Sequence, residues 1–164
     1  MASLKYGLLK PLGCPTVEVG VAASQFFYHN GVNAVYLDDS GHATLALTAT
    51  GTIFGIAIVP NGMGAGTSAD YWKSSATAGA DKIHVITTLE NATFLLPADG
   101  TVTVAMIGED CDMIAVNDGS ATTVDVGTSS TNVFLIQDLG INFGGSTTDV
   151  VVKINPAKVQ IATS

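Results

Sequence analysis

The sequence contains no arginine. Its six cations are all lysine, set against fourteen acids, for a formal charge of −8 over 164 residues. Nucleic-acid binding is disfavoured, because phosphates must be neutralised by basic side chains and arginine forks read guanine edges. An anionic membrane surface is disfavoured for the same reason. Charged residues make up 12% of the chain, about half the ~25% of an average globular domain. Long apolar runs are also missing. The strongest, Ile53 to Val59, is seven residues and is broken by Gly55, whereas a membrane-spanning helix needs about 20. The first fifteen residues, MASLKYGLLKPLGCP, carry no apolar stretch of signal-peptide length, so no leader is expected. There are two cysteines, Cys14 and Cys111, with no CxxC spacing. They read as free thiols rather than as a disulfide or a zinc pair.

What the chain does contain is apolar and small. Hydrophobic residues are 47% of it, which excludes intrinsic disorder. The charges it has are unevenly placed. The 51 residues from Val19 to Ala69 hold only Asp38 and Asp39. That many uncharged residues exceed what one small core can hide, so a neutral interaction face is expected there.

Short Thr-rich apolar runs punctuated by Gly, Asp and Asn are strand signals. They fall at Val32–Leu37, Thr44–Thr48, Thr52–Val59, Lys82–Leu89, Thr93–Leu96, Thr101–Met106, Asp112–Val116, Thr122–Val126, Val133–Ile136 and Val150–Ile154. Leu45 and Leu47 alternate with Thr44, Ala46 and Thr48, as a half-buried strand does. The run Thr52–Val59 is more continuous and predicts a strand covered on both faces. Asp38-Asp39-Ser40-Gly41 and Asn117-Asp118-Gly119-Ser120 are turns, the second a strong hairpin signal. About ten strands and no amphipathic helix predict an all-β sandwich or barrel, either continuous or built as two small β modules. A Gly- and Ser-rich stretch over residues 60–81 marks the break. It divides a charge-poor region, 1–80, suited to oligomerisation or docking, from a barrel-like module, 81–164. Ala69–Ala78 within it reads as a helical turn or a loop. Residues 124–133 (VDVGTSSTNV) and 141–150 (INFGGSTTDV) are similar enough to suggest one hairpin built twice.

Candidate chemistry is sparse. Gly62-Met63-Gly64-Ala65-Gly66 lacks the G-x-G-x-x-G spacing and the following helix of a dinucleotide site. Glu109, Asp110 and Asp112 are acidic, but positions 114 and 115 are Ile and Ala, so no EF-hand loop exists. They read as a solvated turn. His29, His42 and His84 show no zinc spacing, and no G-x-S-x-G elbow occurs. Asn91-Ala92-Thr93 is a glycosylation sequon without a secretion signal. No enzyme, metal or cofactor is expected. The aromatic residues are the better candidates. Phe26-Phe27-Tyr28 in a strand must turn at least one ring away from the local core. Tyr71 and Trp72, the latter the sole tryptophan, lie on the Gly/Ala/Ser stretch. These five are candidate interface residues, either as anchors in a partner's pocket or as a plug for their own barrel.

The second half resembles the capsid cement, or head decoration, proteins of tailed bacteriophages. The resemblance runs from Asp81 to Lys158, through DKIHVIT, ATFLLPADGTVT, IGEDCDMIAVNDGSATTVDVGTSSTNVFLIQ and VVVKINPAKVQ. It implies a structural virion protein, made in the bacterial host cytoplasm, that sits on the outer surface of the head. It further implies a homotrimer bridging copies of the major capsid protein. The alternative is a carbohydrate- or receptor-binding β module of a virion or other surface, using the aromatic residues as a platform.

Overall fold

The computed structural model describes residues 7–8, 16–60, 70–90 and 92–160. Strands of between two and six residues make up nearly all its regular structure, with three short 3-10 turns beside them. In chain order the strands are β1 (Gly7–Leu8), β2 (Thr16–Gly20), β3 (Phe26–Tyr28), β4 (Ala34–Leu37), β5 (Ala43–Leu45), β6 (Gly55–Ile58), β7 (Tyr71–Lys73), β8 (Lys82–Ile86), β9 (Phe94–Pro97), β10 (Asp110–Ile114), β11 (Thr123–Asp125), β12 (Phe134–Leu139) and β13 (Asp149–Ile154). They form sheets of six, five and two strands. The chain is all-β, as its composition requires.

The five-stranded sheet runs β2-β8-β6-β4-β5, with every neighbour antiparallel. Just past β2, Val21 pairs in parallel with Ala43 of β5, and the Ala22 amide donates to the Ala43 carbonyl at 3.0 Å. The first and last strands therefore meet, and the sheet curls around its own apolar side chains. Val35, Leu45, Ala57, Ile83 and Val85 point into this barrel-like core. Ala34 and Ile56, directly opposite each other on β4 and β6, point the other way into a second core. Thus β6 is covered on both faces, as its continuous apolar run predicts.

The six-stranded sheet runs β1-β9-β13-β12-β10-β11. It curls in the same manner. Ala98, just after β9, pairs in parallel with Val124 of β11, and the Asp99 amide donates to the Val124 carbonyl at 2.9 Å. Its inward face supplies Phe94, Met113, Phe134, Ile136, Val152 and Ile154 to the second core. That core continues onto the outside of the first barrel through Val32, Ala34, Ala46, Ile53 and Ile56.

The sheets do not change over at residue 80. Strand β8, Lys82–Ile86, completes the first barrel, and the second begins at Phe94. The pairing of β1 with β9 also places a piece of the N-terminal region on the second sheet. Three local expectations need correction. Thr101–Met106 alternates like a strand but carries a 3-10 turn at Val104–Met106, because this stretch must cross the barrel end from β9 to β10. Tyr71–Lys73, expected in a helical turn or loop, is a strand paired with β3. The two similar segments are not one hairpin repeated. Residues 126–133 link strands that are not neighbours, β11 and β12, whereas 140–148 link neighbours through a 3-10 turn. The two predicted turns are present. Ser40 N bonds Asp38 Oδ1 at 2.9 Å between β4 and β5. Gly119 adopts φ +85° between β10 and β11.

Gly55 shows why the apolar run of β6 is interrupted. A Cβ there would collide with the Ile86 carbonyl oxygen and Val85 Cγ1 of β8. Gly55→Ala should therefore force β6 and β8 apart and cost about 1–3 kcal/mol. Urea unfolding should show a lower midpoint at unchanged slope.

Candidate functional site

The five aromatic candidates, separated by more than forty positions in sequence, fall on one two-stranded ribbon. Phe26 opposes Lys73, Phe27 opposes Trp72 and Tyr28 opposes Tyr71. Strand alternation then sorts them by face. Phe27 and Trp72 point into the first barrel, 0% and 1% exposed, with ring centroids 5.7 Å apart. They are the plug of their own barrel. Trp72 Nε1 is buried without a hydrogen-bond partner. Phe26, Tyr28 and Tyr71 lie on the opposite face, each half-buried. Phe26 and Tyr71 meet edge to face at 5.1 Å, and Lys73 Nζ stands 4.9 Å over the Phe26 ring, a cation–π contact.

Side-chain amides replace the strands that the ribbon lacks. Asn33 brackets Tyr28, its Oδ1 accepting from Tyr28 N and its Nδ2 donating to Tyr28 O, both at 2.8 Å. Asn117, from the turn of the second barrel, accepts from Phe26 N at 2.8 Å and donates to Ser24 O at 3.2 Å. Ser74 Oγ accepts from Gln25 N and donates to Ala22 O, both at 2.8 Å. Gln25 Oε1 in turn accepts from Leu45 N at 2.9 Å. Tyr71 packs so closely on Gly119 that a Cβ there would strike its ring. The outward aromatic row is thus fixed by bonds to both barrels. Asn33 and Asn117 are site residues that sequence reasoning missed. Asn117 was legible only as a turn former.

The histidines are scattered. His84 stands 3.9 Å from Glu18 and 3.4 Å from Thr16 Oγ1 on the β2–β8 surface. His42 packs against Gly20 and Gly79, with Nδ1 3.8 Å from Asp38. Among the described residues, no three His, Cys, Asp or Glu side chains gather as metal ligands would. Gly62–Gly66, Cys14 and Asn91 lie outside the described residues. A pocket of about 390 Å³, unmarked by any sequence motif, is lined by Thr87, Thr88, Leu89, Ile154, Pro156 and Val159, with Glu90 the one ionisable side chain among the described residues of its wall.

The acidic trio divides. Glu109 and Asp110 are exposed, whereas Asp112 is buried. Asp112 Oδ1 accepts from the Thr131 and Asn132 amides at 2.8 Å each. Its Oδ2 accepts from Ser130 N at 2.9 Å and Ser130 Oγ at 2.6 Å. Burial opposes its charge, but the Ser130 hydroxyl and the three amides outweigh it and hold the carboxyl far below the usual carboxylate range. Asp112 is therefore an internal tie for the 126–133 crossing rather than part of a solvated turn. Beside it, burial and the neighbouring charges of Asp112, Asp110 and Asp125 push the Cys111 thiol up to about 12. A thiol so disposed is a poor nucleophile.

No family model matches this chain, and neither a curated protein nor a solved structure matches it.

Asp112→Asn should cost about 2–4 kcal/mol at neutral pH by breaking this set of bonds. The unfolded chain takes up the Asp112 proton near pH 3.9, before the folded protein does. The stabilisation is thus complete above roughly pH 5 and is lost as pH falls toward the lower folded value. Urea midpoints of the wild type and the variant should converge between pH 6 and pH 3. A constant gap across that window would contradict this role.

Proposed function

We propose that this chain is a structural virion protein that binds the outside of an assembled tailed-phage head and stabilises it, acting as a homotrimer. The observation that carries this reading is the outward aromatic row, Phe26, Tyr28 and Tyr71, of which Phe26 and Tyr28 lie in the 51-residue stretch from Val19 to Ala69 that holds only Asp38 and Asp39. Half-buried aromatic rings held in place before binding lose little freedom when they dock, and such rings are common anchors of protein interfaces. The resemblance of residues 81–158 to capsid cement proteins supports the same reading. Weak contacts repeated over a shell add by multivalency, so modest affinity per site suffices. The alternative of a glycan platform loses its main ring, because Trp72 is sealed inside the first barrel.

Phe26→Asp and Tyr28→Asp place a charge on the outer row and leave the plug untouched. Each should keep the far-ultraviolet spectrum of the wild type and lower occupancy on purified heads about tenfold or more. Light scattering should give three times 16.7 kDa for the wild type and a lower mass for any variant that also breaks the trimer. Wild-type occupancy by both variants would overturn the assignment.

A further inference from the structure

The acids are concentrated in one stretch of the second barrel. Residues 99–150 hold eight of the fourteen acids and neither lysine nor histidine, so the entire net charge of −8 resides there. The rest of the chain is balanced. Two crossings of this acidic region meet at one end of the second barrel. One leads from β9 to β10 and the other from β12 to β13. Val102 N donates to Thr147 O at 2.8 Å, and Gly108 N donates to Ile136 O at 2.9 Å. Both crossings carry a 3-10 turn packed against β12.

Met106 of the first turn and Leu139, the last residue of β12 just before the second, pack onto the second core. Their neighbours remain in solvent. Val104 is 69% exposed, Ile141 51%, Phe143 48% and Ile107 43%. Half of the protein's exposed large hydrophobic side chains among the described residues lie on these two turns. Glu109 and Asp110 follow Ile107 after one glycine, Gly108, and are exposed. Asp138 is held beside the second turn by bonds from Leu139 N at 2.7 Å and Asn142 Nδ2 at 2.9 Å. Among the described residues, the carboxylates of Glu109, Asp110 and Asp138 rim the apolar end, and Lys153 stands two strands from Asp110, across Leu135 of β12.

We propose that this end is a docking surface for a protein that presents lysine or arginine side chains around an apolar depression. Phe143 is the anchor that enters the depression, and Val104, Ile107 and Ile141 exclude water around it. Glu109, Asp110 and Asp138 meet the partner's cations, which favours encounter and makes binding salt-dependent. The sign of the rim selects this occupant. A second copy joined face to face would bring the same carboxylates against one another. Nucleic acid and anionic lipid are repelled in the same way. The inference concerns a surface apart from the aromatic ribbon and does not depend on the partner being a capsid.

The probe is a short amphipathic peptide of leucine and lysine, titrated into isotope-labelled full-length protein, with a leucine–glutamate peptide as control. Amide shifts should concentrate at residues 103–110 and 137–144 for the lysine peptide alone and should fade with added salt. Val104→Ser and Phe143→Ser should each weaken binding about tenfold or more. Val17→Ser, at an exposed apolar position of the other barrel, should leave it unchanged. Shifts centred elsewhere, equal binding of the two peptides, or wild-type affinity in both variants would overturn the proposal. So would a concentration-dependent dimer abolished by Phe143→Ser, which would make a second copy the occupant. Failure of the wild-type protein to bind heads, with the lysine peptide still seating on it, would overturn the proposed function alone.

Discussion

The packing of Phe27 against Trp72 determines how the first half of the molecule is built. A sheet of strands this short has too few apolar side chains of its own to fill the space it encloses. Ala43, Ala57 and three valines are small, and the sheet curls around them only because two large rings enter from outside it. Those rings arrive on a ribbon whose strands are forty residues apart in the chain. Everything on the outer face of the ribbon follows from that inward demand. With Phe27 and Trp72 committed to the core, alternation leaves Phe26, Tyr28 and Tyr71 on the surface.

The second barrel meets the same geometric problem differently. Its inward face already carries Phe94, Phe134, Met113 and several isoleucines, so no plug is needed. Its difficulty lies in the long crossings, whose backbone groups have no strand partners. Asp112 resolves one of them by accepting four bonds from residues 130–132. Its charge is tolerated inside because nearly every lone pair is used. The other two crossings, 98–109 and 140–148, are braced by backbone bonds and by the carboxylates of Asp138 and Asp149, and leave four apolar side chains uncovered. A lysine-capped aromatic row on one barrel and an acid-rimmed apolar end on the other give this small protein two chemically distinct faces.

Much of the fold was legible because strand periodicity is local. The all-β class, the turns at Asp38–Gly41 and Asn117–Ser120, and the two-faced burial of β6 follow from residue order alone. The closing contacts do not. Val21 with Ala43 and Ala98 with Val124 are single parallel bridges between distant residues that carry no pattern. The strand Tyr71–Lys73 was masked by its Gly- and Ser-rich surroundings. Its partner lies too far away for a hairpin signal. For the same reason the sequence brought the five aromatic residues forward as a set but could not say which two face inward. That choice depends on the register Phe27↔Trp72, and a slip of one residue would exchange the faces. The apolar end of the second barrel escaped notice because Thr101–Met106 alternates as a strand would.

One spectroscopic measurement tests this register directly. Trp72 is the only tryptophan, so the native emission spectrum and its quenching by iodide report on it alone. With Trp72 sealed in the first barrel, emission should be blue-shifted and iodide should have almost no effect until the protein is unfolded in urea. Red-shifted native emission that iodide quenches freely would place Trp72 on the surface. It would contradict the plug and, with it, the assignment of Phe26, Tyr28 and Tyr71 to the outer face.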